Sequence, residues 1–454
     1  MRQIRILSRL IIGVVFIFSG FVKAIDPLGS AYKFSDYFTA FQLDFLSPFS
    51  IFFAILLSSI EFVLGFVIIL GYRKRATYWV LFIFMLFFTV LTFILALFNP
   101  VSDCGCFGDA LIMTNWETFF KNLILMVFVL ILFSSRKRAE NLHGKGLERA
   151  LIFLFFAGTI YISVYCYRHL PFIDFRPYDV GTYIPAEMVI PEDAPVDQYK
   201  TTLIYHNKVT GKDSRFHIDN YPQDTAVWEF VTSESELVSK GYEPPIHDFV
   251  ITDPSGRDIT DELLSYEGYS LLMIAYDLDA ADSAMLVSMN DWASLEQYAV
   301  DFRFVPITAS TSTMISQVKG GFGLVYDFYS ADEIMLKTIV RANPGYLLLK
   351  NGTILDKWSG IDFPALSRWN EEWNEMVMQE PVQLDAEMEM LIEEGVMEPP
   401  KWNVISFDQA ACKMITHRMS KEHEQKIWLI LFLSLLFIGT MLKRIPMNKK
   451  RHRV

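Results

Sequence analysis

Hydrophobic and polar residues are segregated along this chain into long blocks. Six apolar runs are close to the length of about 20 residues that an α-helix needs to cross a bilayer. They cover residues 6–24, 49–71, 77–98, 115–133, 147–167 and 427–442. Between the fifth and sixth runs, charged and apolar residues are mixed, as they are in water-soluble domains. The pattern therefore predicts a membrane all-α bundle of six transmembrane helices with one large soluble insertion.

Composition and charge agree with this division. The chain of 454 residues is 52% hydrophobic and 15% aromatic, yet its net charge is -12. Lys and Arg cluster at the N-terminus and after the second, fourth and sixth runs, whereas the loop 99–114 contains neither. Basic loops favour the cytoplasmic side of a membrane. We therefore expect both termini to be cytoplasmic, and the soluble insertion and loop 99–114 to lie on the opposite side.

That loop contains the sequence DCGCFGD, in which Cys104 and Cys106 are one glycine apart. A disulfide between residues two apart needs an unusual backbone, which glycine permits, and a strained ring is easily reduced. Asp103 and Asp109 argue against a reactive pair, because nearby negative charge raises a thiol pKa. A zinc site would need two further ligands and no His lies nearby, so we expect no metal. A redox dithiol stays open beside two alternatives, a structural bridge or two unreactive thiols, with Cys104 and Cys106 as the candidate catalytic residues.

The other two cysteines flank the soluble insertion. Cys166 is at the end of the fifth apolar run and Cys412 precedes the sixth. All four cysteines then lie at one outer surface, where disulfides form and persist. We expect a Cys166–Cys412 bridge at the base of the soluble domain; a resolving role toward Cys104 and Cys106 is the alternative.

Two charged residues interrupt the apolar runs. Glu61 lies roughly 18 Å from the outer end of the second run, at 1.5 Å rise per residue. An intramembrane carboxylate is costly, so Glu61 is a candidate for proton or quinone chemistry, with a hydrogen-bonded structural role as the alternative. Lys23 lies near the end of the first run and can extend its ammonium group to the interface. We therefore assign Lys23 no functional role.

Three stretches resemble the DoxX/MauE group of bacterial four-helix membrane proteins. They are RLIIGVVFIFSGFVKAIDP, SSIEFVLGFVIILGYRKRAT and the CGCFG core at Cys104–Gly108, which favours the MauE side. The resemblance covers residues 1–135. It implies a bacterial inner-membrane protein linked to disulfide handling, as MauE is for methylamine dehydrogenase maturation, and it makes the outer compartment the periplasm. DoxX relatives are linked instead to quinol or sulfur oxidation.

Residues 242–370 predict an α/β domain. HDFVITDPSGRDIT predicts a strand, a turn and a short strand, and the apolar run SLLMIAYDL predicts a buried strand. A helix, a strand and another helix follow, and Asn351-Gly352 then predicts a hairpin turn. This order resembles the thioredoxin fold, and the lead-in resembles its TlpA and peroxiredoxin-like branch. The resemblance implies a cis-proline at Pro344, but the Cys-x-x-Cys of the family is missing, so we expect a docking module without thiol chemistry.

The sequence thus divides into six parts. They are a DoxX/MauE-like four-helix transmembrane domain (1–135), a fifth transmembrane helix with its basic cytoplasmic loop (136–170), a periplasmic β-rich extension with an apparent hairpin (171–241), a thioredoxin-like domain (242–370), an acidic helical arm (371–425), and a sixth transmembrane helix with a basic tail (426–454).

Three functions fit this organisation. The first is an inner-membrane thiol–disulfide protein, or maturation factor for redox proteins, that uses the Cys104/Cys106 dithiol and docks a periplasmic client or redox partner. The second is a non-catalytic scaffold, and the third a quinol-linked subunit that uses Glu61. No cofactor is evident from motifs, although a quinone fits the third function. Membrane lipid is an expected partner, and nucleic acid is not, since no basic patch or phosphate loop is present.

Overall fold

The computed structural model describes residues 2–71, 74–101, 103–136, 145–239, 241–296 and 301–363. The predicted acidic arm, the predicted sixth transmembrane helix and Cys412 lie outside these residues. Within them the chain forms two compact units, residues 182–249 and the remainder.

The N-terminal part is a helical bundle. Its helices are α1 (Arg2–Ile25), α2 (Pro27–Ala40), α3 (Ser50–Leu70), α4 (Lys74–Phe98), α5 (Asn115–Ser134) and α6 (Lys145–Arg168). All except α2 are long and apolar enough to cross a membrane. Five of the predicted spans are therefore confirmed as apolar helices in the described part of the chain. Helix α2 was not predicted, because its 14 residues mix apolar and polar side chains and are too short for a span.

Helices α1 and α3 pack backbone against backbone. A Cβ atom on Gly20 would lie 2.4 Å from the amide nitrogen of Phe62, and one on Gly65 would lie 2.8 Å from the carbonyl oxygen of Gly13. Only glycine fits at such positions, as is common where transmembrane helices cross closely. This close crossing brings the last turns of α1 beside the middle of α3.

Helix α5 begins at a capping box. The Thr114 hydroxyl accepts a hydrogen bond from the Glu117 amide, and the Glu117 carboxylate accepts one from the Thr114 amide at 2.9 Å. These bonds satisfy amide groups that the first helical turn leaves unpaired. They fix the C-terminal end of loop 99–114 where it enters the bundle.

The described residues from 250 to 363 form a second layer, which we call the sheet domain. Its strands are β4 (Tyr269–Ile274), β5 (Phe302–Thr308), β6 (Tyr329–Ser330), β7 (Gly345–Lys350) and β8 (Thr353–Ser359), in the spatial order β6-β5-β4-β7-β8. Strands β4, β5 and β6 run parallel, while β7 and β8 are antiparallel to their neighbours. Its helices are α8 (Thr260–Leu264), α9 (Ser283–Leu295), α10 (Ser312–Phe322) and α11 (Glu333–Ile339).

Most predicted elements of the sheet domain are present. The β7–β8 hairpin turns at Asn351 and Gly352, which have φ of 47° and 70°, the left-handed conformation that this turn requires. The two strands predicted before β4 were wrong: a single bridge joins Thr252 to Asp258 there. Helix α10 was not predicted.

Residues 182–249 form the other compact unit. It contains a short helix, α7 (Ile184–Glu187), and an antiparallel sheet of β1 (Gln198–Asn207), β2 (Lys212–His217) and β3 (Trp228–Ser239), in the order β2-β1-β3. The predicted hairpin is β1–β2, and β3 adds a third strand that was not predicted.

Candidate active site

The two cysteines of DCGCFGD lie side by side in a half-buried loop, which we call the cysteine loop (residues 103–109). The Sγ atoms of Cys104 and Cys106 are 2.9 Å apart. Gly105 between them has φ of 63°, a left-handed conformation that places both neighbouring side chains on the same side of the loop. A short movement of either sulfur is therefore sufficient to form a disulfide, whose bond length is about 2.05 Å.

Side chains from α1 and α2 hold the backbone of the cysteine loop. The Tyr37 hydroxyl donates a hydrogen bond to the Cys104 carbonyl oxygen at 2.7 Å, and Ser19 Oγ lies 2.7 Å from the Cys106 carbonyl oxygen. The Lys33 stem packs against Gly105, where a Cβ would meet Lys33 Cγ at 3.0 Å. The loop is thus fixed at each cysteine, and its sulfurs are presented in a defined geometry.

Both aspartates of the cysteine loop are paired with cations. Asp103 forms an ion pair with Lys33 of α2. Asp109 Oδ2 accepts a hydrogen bond at 2.7 Å from Arg341 Nη2, and Arg341 Nε also lies 3.1 Å from Asp26 Oδ2. Their negative charges are therefore balanced locally by side chains from outside the loop.

The two thiols differ in acidity. A hydrogen bond from Cys104 is the main reason that the pKa of Cys106 is lowered, to about 6; burial opposes this shift, and the charges of Lys121 and Lys23 support it. The same hydrogen bond, with burial, raises the pKa of Cys104. Cys106 is then a thiolate at neutral pH and Cys104 keeps its proton. The expectation that the loop's aspartates would suppress the thiolate was wrong for Cys106, because those aspartates are neutralised and lysines face the sulfurs.

Glu61 lies beneath the cysteine loop in a buried ion pair. The Lys23 ammonium is 2.9 and 2.8 Å from the two Glu61 carboxylate oxygens, and both side chains are only 8% exposed. Ser19 Oγ is 2.8 Å from Glu61 Oε2 and links this pair to the Cys106 carbonyl oxygen. The prediction that Lys23 extends to the interface was wrong, since the close α1–α3 crossing places a carboxylate within its reach.

A cavity of about 260 Å³ opens between the cysteine loop and helices α1 to α5. Eight phenylalanines supply much of its wall, and Cys104, Cys106, Lys23, Glu61 and Lys121 line its polar part. The Lys121 ammonium is 4.4 Å from the centre of the Phe107 ring. The two cysteines of the loop therefore line a largely apolar chamber inside the bundle.

The sheet domain contacts α2 next to the cysteine loop. The hydroxyl groups of Tyr276, just after β4, and Tyr32 are 3.1 Å apart, and Lys337 Nζ is 4.7 Å from the centre of the Tyr32 ring. Arg341 adds the ion pairs described above, and its side chain is 7% exposed. Helix α2 is thus held between the cysteine loop on one side and the sheet domain on the other.

Two further predicted features lie in the sheet domain. The Asn343–Pro344 peptide bond is cis, in the loop that leads into β7. The start of α9, where the resemblance would place Cys-x-x-Cys, has Asp282 as its N-cap, which accepts from the amides of Ala284 and Met285, and no cysteine. The sheet domain therefore has no cysteine at the position where the resemblance would place a reactive pair.

Cys166 lies apart from the dithiol. It is buried against Ile25 and Ile162 and has no disulfide partner among the described residues. Its pairing with Cys412, which lies outside those residues, stays a prediction. Within the described part of the chain, no group of three or more His, Cys, Asp or Glu side chains could hold a metal ion.

Sequence reasoning missed five residues that shape this site: Ser19, Lys33, Tyr37, Lys121 and Arg341. Lys33 and Lys121 carried a weak signal, since each is a lysine in or beside an apolar helix, where a charge is costly. Ser19 precedes Lys23 by one helical turn and could have been grouped with it. Nothing local to Tyr37 or Arg341 distinguishes them.

Comparison with known proteins agrees with part of this picture. Residues 1–135 match the family described as methylamine utilisation protein MauE. Residues 199–240 match a domain of unknown function, DUF8463. No curated protein matches the chain. The MauE match agrees with the predicted resemblance over the same residues; the DoxX side of that resemblance stays a prediction.

A solved structure also shows similarity, the solution structure of "a putative protein disulfide isomerase from Bacteroides thetaiotaomicron". It has 15% sequence identity, the alignment covers 28% of this chain and 85% of that chain, and the TM-score is 0.23. A TM-score this low does not establish a common fold.

Proposed function

We propose that this chain is a membrane thiol–disulfide oxidoreductase that serves the maturation of exported redox proteins. The observation that carries the proposal is the cysteine pair, with its sulfurs 2.9 Å apart and the pKa of Cys106 lowered to about 6. The MauE match over residues 1–135 supports it, because the resemblance links that family to disulfide handling.

The two cysteines have different roles in the exchange. When the pair is oxidised, a client thiolate attacks Cys104 Sγ, and Cys106 departs because the thiol of lower pKa is the better leaving group. A second client thiolate then attacks the client sulfur of the mixed disulfide. The client disulfide forms, the bond to Cys104 breaks, and Cys104 takes up a proton. The client loses two electrons and the Cys104–Cys106 pair gains them.

The sheet domain supports this chemistry without a thiol of its own. Its β4–α9–β5 order and β7–β8 hairpin fit a thioredoxin-like fold. Its role is to hold α2, and through α2 the cysteine loop, by way of Arg341 and Tyr276. The hypothesis that it docks a client stays a prediction, and any such client binds away from the surface that α2 occupies.

The membrane orientation follows from the basic loops. Both termini are cytoplasmic in the bacterial inner membrane, and the cysteine loop faces the periplasm. A membrane-impermeant maleimide added to intact cells then labels Cys106 before lysis. Labelling that requires lysis contradicts this orientation.

Thiol trapping tests the function itself. In acid-quenched membranes, the Cys104–Cys106 pair should be found both oxidised and reduced, with the ratio shifted by added dithiothreitol. Cys104→Ser and Cys106→Ser should each abolish client oxidation, because neither variant can form the Cys104–Cys106 disulfide. In Cys106→Ser, the Cys104 thiolate can still attack the disulfide of an already oxidised client, and the resulting mixed disulfide should accumulate because no Cys106 is present to resolve it. Cys166→Ser is the matched control, because it removes a buried thiol outside the cysteine loop.

Two outcomes decide against the proposal. One is a cysteine pair that never changes oxidation state. The other is normal client oxidation in both serine variants without any mixed disulfide, and in that case the non-catalytic scaffold is the better description.

A further inference from the structure

The cavity beside the dithiol is large enough to hold a six-membered aromatic ring, and its walls suit an apolar ligand. Its volume is about 260 Å³, whereas an apolar protein cavity of about 150 Å³ is sufficient to bind benzene. Residues from α1, α2, α3, α4 and α5 contribute to its walls, and most of these are Phe, Leu or other apolar side chains. Water molecules bind weakly in such a cavity, because few of the lining side chains can form hydrogen bonds with them.

The cavity also reaches the outside of the bundle within the membrane. Phe87, which lines it, is 61% exposed and lies near the middle of α4. Phe41 and Leu43, just after the C-terminal end of α2, also line it and are 39% and 37% exposed. A side chain at the middle of a spanning helix faces hydrocarbon. The molecule that enters here therefore comes from the lipid phase.

The opposite part of the cavity is polar and reactive. It is lined by Cys104, Cys106 and Lys121 and by the Lys23–Glu61 ion pair. Lys121 has no carboxylate partner among the described residues, and its ammonium contacts the Phe107 ring instead. A plain acyl chain would leave these cations facing hydrocarbon, which is costly. The guest must therefore present oxygen atoms to the polar part.

We propose that this cavity binds the ring of a membrane quinone, and that the quinone accepts two electrons from Cys104 and Cys106. A quinone combines the required features: an apolar ring and tail, carbonyl oxygens that accept hydrogen bonds, and two-electron redox chemistry. The inference rests on the proposed function, because it names the electron acceptor that restores the disulfide after a client has been oxidised.

The reaction balances with the groups present. The Cys106 thiolate adds to a ring carbon, a C–S bond forms, and an electron pair moves to one quinone oxygen. Cys104 then attacks Cys106 Sγ, so that the S–S bond forms and the C–S bond breaks, with its electron pair left on the ring. The two oxygens take up two protons, one from Cys104 and one from solvent in place of the proton that Cys106 has already released. The dithiol is oxidised to a disulfide and the quinone is reduced to a quinol.

The lysines have defined parts in this step. Lys121 and Lys23 are the cations that stabilise negative charge on Cys106, and the same positive charge stabilises a quinone oxygen as it becomes an anion. Ser19 and Glu61 hold Lys23 in place. Glu61 is then a positioning residue, which acts through Lys23 and the Cys106 carbonyl contact of Ser19.

The test uses the full chain in nanodiscs of quinone-free phospholipid, with decylubiquinone as the probe. Reduced protein mixed anaerobically with decylubiquinone should lose both thiols of the cysteine loop and produce the quinol in equal amount. The Cys104→Ser/Cys106→Ser double variant cannot turn over, yet it should retain decylubiquinone in stoichiometric amount after gel filtration.

A pair of tryptophan substitutions on α4 locates the site. Leu91 lines the cavity, whereas the neighbouring Val90 is 52% exposed on the outside of the helix. Leu91→Trp should fill the cavity and slow oxidation by decylubiquinone by about tenfold or more, the effect of losing a well-packed ring contact. Val90→Trp should leave the rate unchanged. If Leu91→Trp does not fold, Leu57→Trp on α3 fills the same cavity.

A water-soluble oxidant separates the two proposals. Diamide should form the Cys104–Cys106 disulfide in wild-type protein and in both tryptophan variants. If diamide does so but decylubiquinone neither binds nor oxidises the pair, or if only phospholipid is retained, the quinone inference is overturned and the proposed function stands. Oxidation that Leu91→Trp and Leu57→Trp do not slow also overturns it. If neither oxidant forms the disulfide, the proposed function itself fails.

Discussion

Replacing Cys104 separates the causes that make Cys106 a thiolate. The hydrogen bond from Cys104 contributes most to the lowered pKa of Cys106, and the charges of Lys121 and Lys23 add to it against the opposing effect of burial. Cys104→Ala removes the donor and keeps the lysines, whereas Cys104→Ser keeps a hydroxyl donor at the same position. We expect the pKa of Cys106 to rise from about 6 toward the ordinary 9.0 in the alanine variant, and to rise less in the serine variant.

The size of the effect depends on what is measured. A rise of the pKa from about 6 to about 9 lowers the thiolate fraction at pH 7 by about ninetyfold. A thiolate of higher pKa is also intrinsically more nucleophilic, by about twentyfold over this range for a Brønsted slope of about 0.45. The alkylation rate at pH 7 then falls only about four- to fivefold. The midpoint of the pH–rate curve is therefore the informative quantity.

The assay is alkylation of reduced protein with iodoacetamide between acidic and alkaline pH, with Cys106 followed by mass spectrometry of its peptide. In the wild type, the thiolate is present above about pH 6 and is lost as the pH falls through that value. Cys104→Ala should move the midpoint upward by about one unit or more. A wild-type midpoint near 9, or an alanine variant that still titrates near 6, would show that the hydrogen bond does not set the acidity of Cys106.

Three buried ion pairs give further predictions, each measured as thermal unfolding of the solubilised protein. Glu61→Gln leaves the Lys23 ammonium buried without a carboxylate and should cost about 3–5 kcal/mol; adding Lys23→Met should recover part of the loss, and no recovery would mean that the two residues do not act as a pair. Arg341→Met strands two aspartates and should cost about 3 kcal/mol while it speeds alkylation of the cysteine loop. Arg257→Met, its control in an exposed ion pair, should leave the unfolding temperature nearly unchanged, and equal losses in the two arginine variants would contradict the role assigned to the Arg341 ion pairs. Asp174→Asn removes the carboxylate that lies 2.7 Å from the buried Arg176 Nε and 2.8 Å from the buried Lys357 Nζ, and should cost about 3–5 kcal/mol; unchanged stability would mean that these charges are solvated.

The bundle was predictable from the sequence because the length of an apolar run decides whether a helix can span a membrane. The same rule does not detect α2, because its 14 residues are too few for a span and include Ser, Lys and Asp side chains. In the sheet domain, continuous apolar runs and the Asn351-Gly352 turn indicated the order of the elements. The two predicted strands before β4 are absent, because Thr252 makes only isolated bridges, to Asp258 and Ser330, and no ladder forms.

Of the site, the sequence indicated only the cysteine loop and Glu61. Their partners come from distant parts of the chain: Tyr37 lies 67 residues from Cys104, and Arg341 lies 232 residues from Asp109. Such contacts depend on how the elements pack, which no local pattern encodes. Lys23 was misassigned for the same reason, since its partner is 38 residues away on a helix that approaches only because Gly20 has no side chain.

The ion pairs of Arg341 with Asp26 and Asp109 limit where this chain can be divided into fragments. The family match ends at residue 135, yet a cation that holds the cysteine loop is encoded far downstream of that boundary. A fragment cut at residue 135 therefore keeps the motif intact and still exposes Asp26 and Asp109 without their arginine. The sheet domain contacts α2 through side chains. It therefore resembles a separate subunit that happens to be encoded in the same polypeptide. Co-expression of the two halves as separate polypeptides is thus a complementation experiment. It tests the contacts between the sheet domain and the bundle, while the cysteines stay unchanged.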